Sequence, residues 1–349
     1  MTGEELRALR DKRNLTQPDF AGWLNQLTGR RYDKQKISRW ETERERIPRD
    51  VAGAVRIAGL ARETGDAPRR AVAVAVALQK GGTGKTATSI NLAYVLARAG
   101  NRVLLVDADS QGNATVHVGL EQQEVVRLSR EGRTLYHALT GRTALAEIIL
   151  STSVTGLDLA PASIALSAAE AELYHDPTGI NALAELLSAV RTDYDFIIID
   201  CAPALGMITS NALVAADYLL IPCQTEAHAI LGLEQLTETI AKIRRRSNPS
   251  LEILGIVPTM YSARQSQDRA SLEDLRTLWG GSIAMFEPIP RSTVYSQAAA
   301  ANTITLAGDP GAPGMETFIE IALRLIERTA ERTQATRTGN ARTGAAHAA

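Results

Sequence analysis

The sequence predicts a doubly wound α/β domain on a mostly parallel sheet, preceded by a small all-α module, and three observations carry that prediction. Short apolar runs rich in Val and Ile recur at Ala71–Leu78, Val103–Val106, Phe196–Ile199, Tyr218–Ile221 and Ile253–Val257. Continuous apolar runs of this length suit strands buried on both faces. Longer segments with helical patterning, such as Ala87–Ala99 and Asn181–Val190, lie between them, and strands that alternate with helices pair in parallel through crossovers. The front of the chain, residues 1–62, is instead polar and basic.

The front module comes first. Residues 2–12 have a helical pattern, and a second helix opens at Leu15-Thr16-Gln17 and runs through Phe20, Ala21, Trp23 and Leu24. Thr16 is the expected N-cap, because its side-chain oxygen stands just before the apolar face. After a turn at Gly29 a third helix is expected over residues 34–41, KQKISRWE, with Ile37 and Trp40 on one buried face. Lys34, Gln35, Lys36, Ser38 and Arg39 then point largely outward, and such side chains suit phosphates and base edges in a major groove. Residues 1–70 hold 16 Lys and Arg against 11 Asp and Glu in a chain of net charge −1, and a locally basic module favours a phosphate-backbone partner. A helical dimerisation or docking module would show the same helices.

Residues 63–70, with Gly65, Asp66 and Pro68, read as a linker. The α/β domain is expected over 71–330. Residues 331–349 have no apolar periodicity and are expected to be a disordered tail. The longest apolar run, Ala71–Leu78, is far shorter than the roughly 20 residues that cross a bilayer. With no secretory h-region in residues 1–30, the expectation is a cytoplasmic protein without a membrane partner. The two cysteines, Cys201 and Cys223, have no metal-ligand spacing.

The first strand leads directly into Lys80-Gly81-Gly82-Thr83-Gly84-Lys85-Thr86. Glycines let successive backbone N–H groups curl around an anionic phosphate, and the helix that starts near Lys85 turns its positive end toward it. In such a P-loop Lys85 reaches the β and γ phosphates, and the Thr86 hydroxyl ligates Mg²⁺. ATP and Mg²⁺ are therefore the expected cofactors. Phe196-Ile197-Ile198-Ile199-Asp200 is an apolar strand ending in a carboxylate, which suits a Walker B element that holds the Mg²⁺ shell.

The early lysine, Lys80, makes this loop resemble the deviant Walker A of the ParA/MinD ATPases. Asp107-Ala108-Asp109-Ser110-Gln111-Gly112-Asn113-Ala114-Thr115 is similar to the D-x-D-P-Q-G-N-A-T switch of partition ATPases, with Ser110 in place of proline. Cys201-Ala202-Pro203-Ala204-Leu205-Gly206 resembles the second switch, and the likeness runs from about Val72 to Glu327. Leu15, Thr16, Gln17, Ala21, Ile37, Ser38, Trp40 and Glu41 match the Cro/repressor-type helix-turn-helix pattern, with a longer turn.

The resemblance implies several roles. Lys80 would cross a nucleotide-sandwich homodimer formed on ATP binding and act on the partner's phosphates. Asp109 would position or activate the attacking water, and Asp107 would support the metal shell. Gly81, Gly82, Thr83, Gly84, Lys85, Thr86 and Ala87 would bind the phosphates, and Pro258, Met260 and Pro290 would flank the adenine. Ala87 stands where the family usually has threonine, so one hydrogen bond of about 1 kcal/mol is missing. Val294 stands where many members carry a DNA-binding arginine, and Arg291, Lys242–Arg246 and Arg264–Arg269 are the candidates to replace it. The implied function is an ATP-driven DNA-segregation ATPase, nucleoid-associated, with a ParB-like centromere-binding partner and autorepression through the front module. A nucleotide-sensing transcription regulator and a MinD-like spatial regulator are the alternatives.

Overall fold

The computed structural model describes residues 1–28, 30–59, 70–226 and 228–329. The expected turn at Gly29, all of the expected linker except Arg70, and the expected tail lie outside the described residues. Seven strands form one sheet: β1 Val72–Val76, β2 Val103–Ala108, β3 Leu150–Ser151, β4 Leu157–Ala160, β5 Phe196–Cys201, β6 Tyr218–Gln224 and β7 Glu252–Thr259. Their order is β3-β4-β2-β5-β1-β6-β7, and every pairing is parallel except β3 with β4. The five expected strands are all present. The sequence reading missed β3 and β4, which are too short and too polar, with Asp158 and Ser151, to register as buried runs. The segment expected as one helix, Asn181–Val190, is a 3₁₀ turn, Gly179–Asn181, followed by an α-helix, Ala182–Ser188.

β1 shows how pattern sets packing. Successive side chains point to opposite faces, so Val72, Val74 and Val76 enter one core layer and Ala73 and Ala75 the other. The alanine face lets the layer that contains Ile208, Ala212 and Leu213 approach closely. The valine face fills the layer of Leu92, Val95, Leu96, Phe318 and Leu325. Because β5 inserts between β1 and β2, the carboxyl ends of these three strands lie side by side, with Asp200 in register with both Val76 and Asp107. Such a point, where crossovers leave in opposite directions, is where open α/β sheets bind ligands.

The front module holds four helices: α1 Gly3–Lys12, α2 Gln17–Thr28, α3 Lys34–Glu41 and α4 Arg49–Gly59. The expected helices stand at α1, α2 and α3, whereas α4 gave no early signal. Thr2 caps α1 in a capping box with Glu5. The Thr16 hydroxyl accepts from Asp19 N at 3.4 Å, as the N-cap reading requires. The core comprises Leu6, Phe20, Leu24, Ile37, Trp40, Val51 and Val55. Arg10 grips Glu41 through Nε (2.6 Å) and NH2 (3.3 Å), and Gln17 Nε2 donates to Glu41 at 2.8 Å, which ties α1, α2 and α3 together.

Candidate nucleotide site

The loop after β1 leads into helix α5, Lys85–Arg98. Gly82 and Gly84 have φ of 74° and 79°, a region that side chains rarely tolerate. A Cβ on Gly82 would meet nothing within 4 Å, so the cradle faces open space. Thr259 Oγ1 donates to Thr83 O at 2.8 Å and anchors the loop to the end of β7. Lys85 is buried, and its Nζ donates to Lys80 O at 2.5 Å. Burial lowers the pKa of this ammonium against the opposing pull of Asp200, so the site favours an anion beside it.

The two strand-end carboxylates are fully buried and play different parts. Asp107 Oδ2 accepts from Thr115 N (2.8 Å) and Thr115 Oγ1 (2.7 Å), and its Oδ1 accepts from Asp109 N (3.2 Å). Both oxygens are therefore committed to the switch, and Asp107 anchors helix α6, Asn113–His117, where the resemblance implied support of the metal shell. Asp200 Oδ1 accepts from Ser89 Oγ at 2.8 Å, whereas Oδ2 is buried with no partner. Burial, and then the neighbouring Asp107, push the Asp200 pKa up, while Ser89 and Thr86 pull it down. A buried carboxylate oxygen without a donor is costly, and a divalent cation between Asp200 and Thr86 would relieve that cost. Among the described residues no group of three or more acidic, His or Cys side chains could hold a metal. Mg²⁺ is commonly held by one or two protein oxygens together with phosphates.

Asp109, also buried, points its Oδ1 at Gln111 N, 3.0 Å away. Lys80 turns aside from the loop: its Nζ meets Glu226 Oε2 at 2.6 Å beyond the end of β6. The sequence reading missed Glu226, Ser89 and the role of Thr115. Only Thr115 lay inside a recognised motif. Burial pushes the Cys201 thiol up, and the Cys223 thiol up to about 12, so both are inert.

A cavity of 450 Å³ adjoins the phosphate cradle, lined by Gly84, Ala87, Thr88, Thr259, Met260, Ile289, Pro290, Arg291, Tyr295 and Phe318 among others. Met260 and Pro290 stand in its wall. Pro258 does not: it lies deeper in β7, where its carbonyl accepts from Ile289 N at 2.8 Å. Val294 packs partly buried against the core. In the front module Lys34, Gln35 and Arg39 are exposed and Ser38 is half-buried, while Lys36 turns back to pair with Glu45 and lies over the Trp40 ring.

A P-loop, a buried lysine, a threonine and a Walker B carboxylate at the switch point of a parallel sheet define a Mg²⁺-dependent ATPase. The family model described as an AAA domain matches residues 71–253. The chain is 37% identical over 261 residues to the chromosome partitioning protein ParA of Caulobacter vibrioides, covering 74% of this chain and 95% of that one. It is 38% identical over 249 residues to the sporulation initiation inhibitor protein Soj of Bacillus subtilis, covering 71% and 96%. Among solved structures, cobyrinic acid a,c-diamide synthase from Mycobacterium smegmatis with bound ADP and magnesium superposes with a TM-score of 0.59 at 34% identity, covering 66% of this chain and 91% of that one. The chain belongs to the ParA-type partition ATPase family.

Proposed function

We propose that this ATPase segregates DNA by cycling between ATP-bound homodimers on DNA and released monomers. The observation that carries the reading is the position of Lys80. It is a partly exposed cation at the lip of the phosphate cradle, held by Glu226 and set apart from the phosphate-facing Lys85. A second copy facing this lip would receive Lys80 at its own phosphates, so hydrolysis would require two chains. Lys85 binds and neutralises phosphate oxygens, Asp109 orients the attacking water and takes its proton at a carboxylate oxygen, and Asp107 with Thr115 holds Asp109 in place. Thr86 and Asp200 would hold Mg²⁺, which would supply charge neutralisation at the phosphates.

Two DNA contacts follow from the charges. Arg264, Arg269 and Arg291 are exposed without an ion-pair partner among the described residues. The backbone joins them, since Arg291 N donates to Tyr261 O at 2.9 Å and Arg269 NH1 to Ala263 O at 2.7 Å. Arg291 lines the base cavity, Arg264 and Arg269 follow the carboxyl end of β7, and together they take the place of the arginine missing at Val294. The run Lys242–Arg246 ends its helix before β7 begins, away from the nucleotide. Specific DNA, including the chain's own operator, is read by Lys34, Gln35, Ser38 and Arg39. A ParB-like protein stimulates hydrolysis, and the nucleoid is the site of action. No described helix is long and apolar enough to cross a membrane.

The test is co-sedimentation of the full chain with random-sequence duplex DNA at fixed salt, with ATP, ADP or no nucleotide. ATP-dependent binding that survives Lys34→Ala with Arg39→Ala, and is lost with Arg264→Ala and Arg269→Ala, supports the motor. Binding that needs only the front module, whatever the nucleotide, would replace it with a nucleotide-sensing regulator, the reading that Val294 favours.

A further inference from the structure

The front module is not independent of the ATPase. Helix α4 belongs to two cores: Val51 and Val55 pack with α1, α2 and α3, while Ile57 is buried in the layer that covers the valine face of β1. Midway along α4 stands Gly53, an unfavourable helix residue. Its reason is close approach, since a Cβ there would fall 2.2 Å from Pro310 O and 3.0 Å from Met315 Cε. On the facing segment Gly311 is just as constrained, with a Cβ placed 2.8 Å from Asp50 N. Arg56 closes the contact by pairing with Glu316 on one side and with Glu5 of α1, at 3.1 Å, on the other.

The other side of the same segment backs onto residues that line the base cavity. Tyr295, which lines the cavity, donates its hydroxyl to Pro313 O at 2.7 Å, and Phe318, two residues beyond the segment, lines it too. Residues 309–316 thus form a wall behind the cavity lining, with Tyr295 and Ile289 against Pro313 and Gly314 on one face and helix α4 on the other. We infer that this wall couples occupancy of the base cavity to the front module, so that bound nucleotide fixes the module in its docked position. A base that immobilises Tyr295 and Phe318 orders the wall, and an ordered wall lowers the entropic cost of seating α4. The coupling is reciprocal, so whatever loads the module changes nucleotide affinity by the same factor. The charged groups at the contact are Glu5, Arg56 and Glu316 in one cluster, Asp50 of α4 paired with Arg30, and Asp309, whose Oδ1 accepts from Gly311 N at 3.0 Å.

Hydrogen exchange on the full chain tests this, with and without saturating ADP and Mg²⁺, read over residues 49–59 and 85–98. The coupling predicts slower exchange over both stretches, by roughly fivefold or more at 49–59, the low end of ordinary site-to-site coupling. Gly53→Ala, which cannot seat against Pro310, should lose the protection at 49–59 and keep it at 85–98. Arg56→Ala introduces no clash, serves if the first variant does not fold, and should weaken the protection at 49–59. Protection of 85–98 with unchanged exchange at 49–59 in the wild-type chain would overturn the inference, as would undiminished protection in Arg56→Ala. No DNA is present, so this outcome is separate from that of the DNA reading above.

Discussion

The phosphate cradle and the cavity beside it, proposed above as the phosphate half and the base half of a nucleotide site, are built on opposite plans. At the ends of β1, β2 and β5, charged side chains are buried and almost every polar atom is committed: Asp107 to Thr115 and Asp109, and Asp200 Oδ1 to Ser89. The exceptions, Asp200 Oδ2 and Thr83 Oγ1, lie buried and unpartnered where phosphate and cation would sit. The base half, at the end of β7, is a largely apolar cavity held by backbone bonds such as Tyr261 N to Ile289 O at 3.1 Å. Recognition of charge demands particular side chains at fixed places, whereas recognition of a flat ring demands a shape that many sequences provide.

The largest effects belong in the phosphate half. Lys85→Ala should cut ATP turnover by at least about 100-fold, in line with the loss of a transition-state donor. Asp109→Asn should lower turnover by roughly 100- to 10,000-fold, as loss of a positioned base does, while bound ATP, measured by equilibrium dialysis, stays near the wild-type level. Nearly full turnover in Asp109→Asn would mean that another group handles the water.

An intermediate effect is expected at Asp200. Its folded-state pKa is raised by burial above the unfolded value, so the nucleotide-free protein is favoured at low pH and loses that stability as pH rises out of the ordinary carboxylate range. Asp200→Asn removes the buried charge, and thermal melting of the nucleotide-free variant should therefore be less sensitive to pH and occur at higher temperature near neutrality. The same variant should gain less than wild type on adding Mg²⁺ and ATP. A lower melting point without nucleotide would show that Asp200 is better satisfied than its free oxygen indicates. The smallest effect is expected in the base half: Tyr295→Phe removes one hydrogen bond to Pro313 and should weaken nucleotide binding by about 1 kcal/mol or less in titration calorimetry.

The same contrast governs what could be read from sequence. The P-loop, Asp109 and the Walker B strand were legible because the chemistry requires those residue types in strand–loop–helix order. The front helices were legible through the spacing of Ile37 and Trp40 and the cap at Thr16. Glu226 and Ser89 were not, because each acts through a partner far along the chain. Their pairs span 146 and 111 residues, and only the β1–β5–β6 adjacency unites them. Pro258 lies inside β7, whereas the cavity lining begins at Thr259, the last residue of that strand. Helix α4 contains Gly53, an unfavourable residue in a helix interior, and the structure gives Gly53 its reason in the contact with Pro310.

The central claim is that Lys80 completes the site of a second copy, and complementation tests it most directly. Lys80→Ala and Asp109→Ala chains, each inactive alone, are mixed in equal amounts and ATP turnover is measured. In a mixed dimer the Lys80→Ala copy keeps its Asp109 and receives Lys80 from its partner, so one complete site forms. Turnover should recover to roughly a quarter of wild type, since half of randomly assorted dimers are mixed. Mixed dimers that form, as shown by cross-linking, and stay inactive would place Lys80 at its own nucleotide and contradict the account.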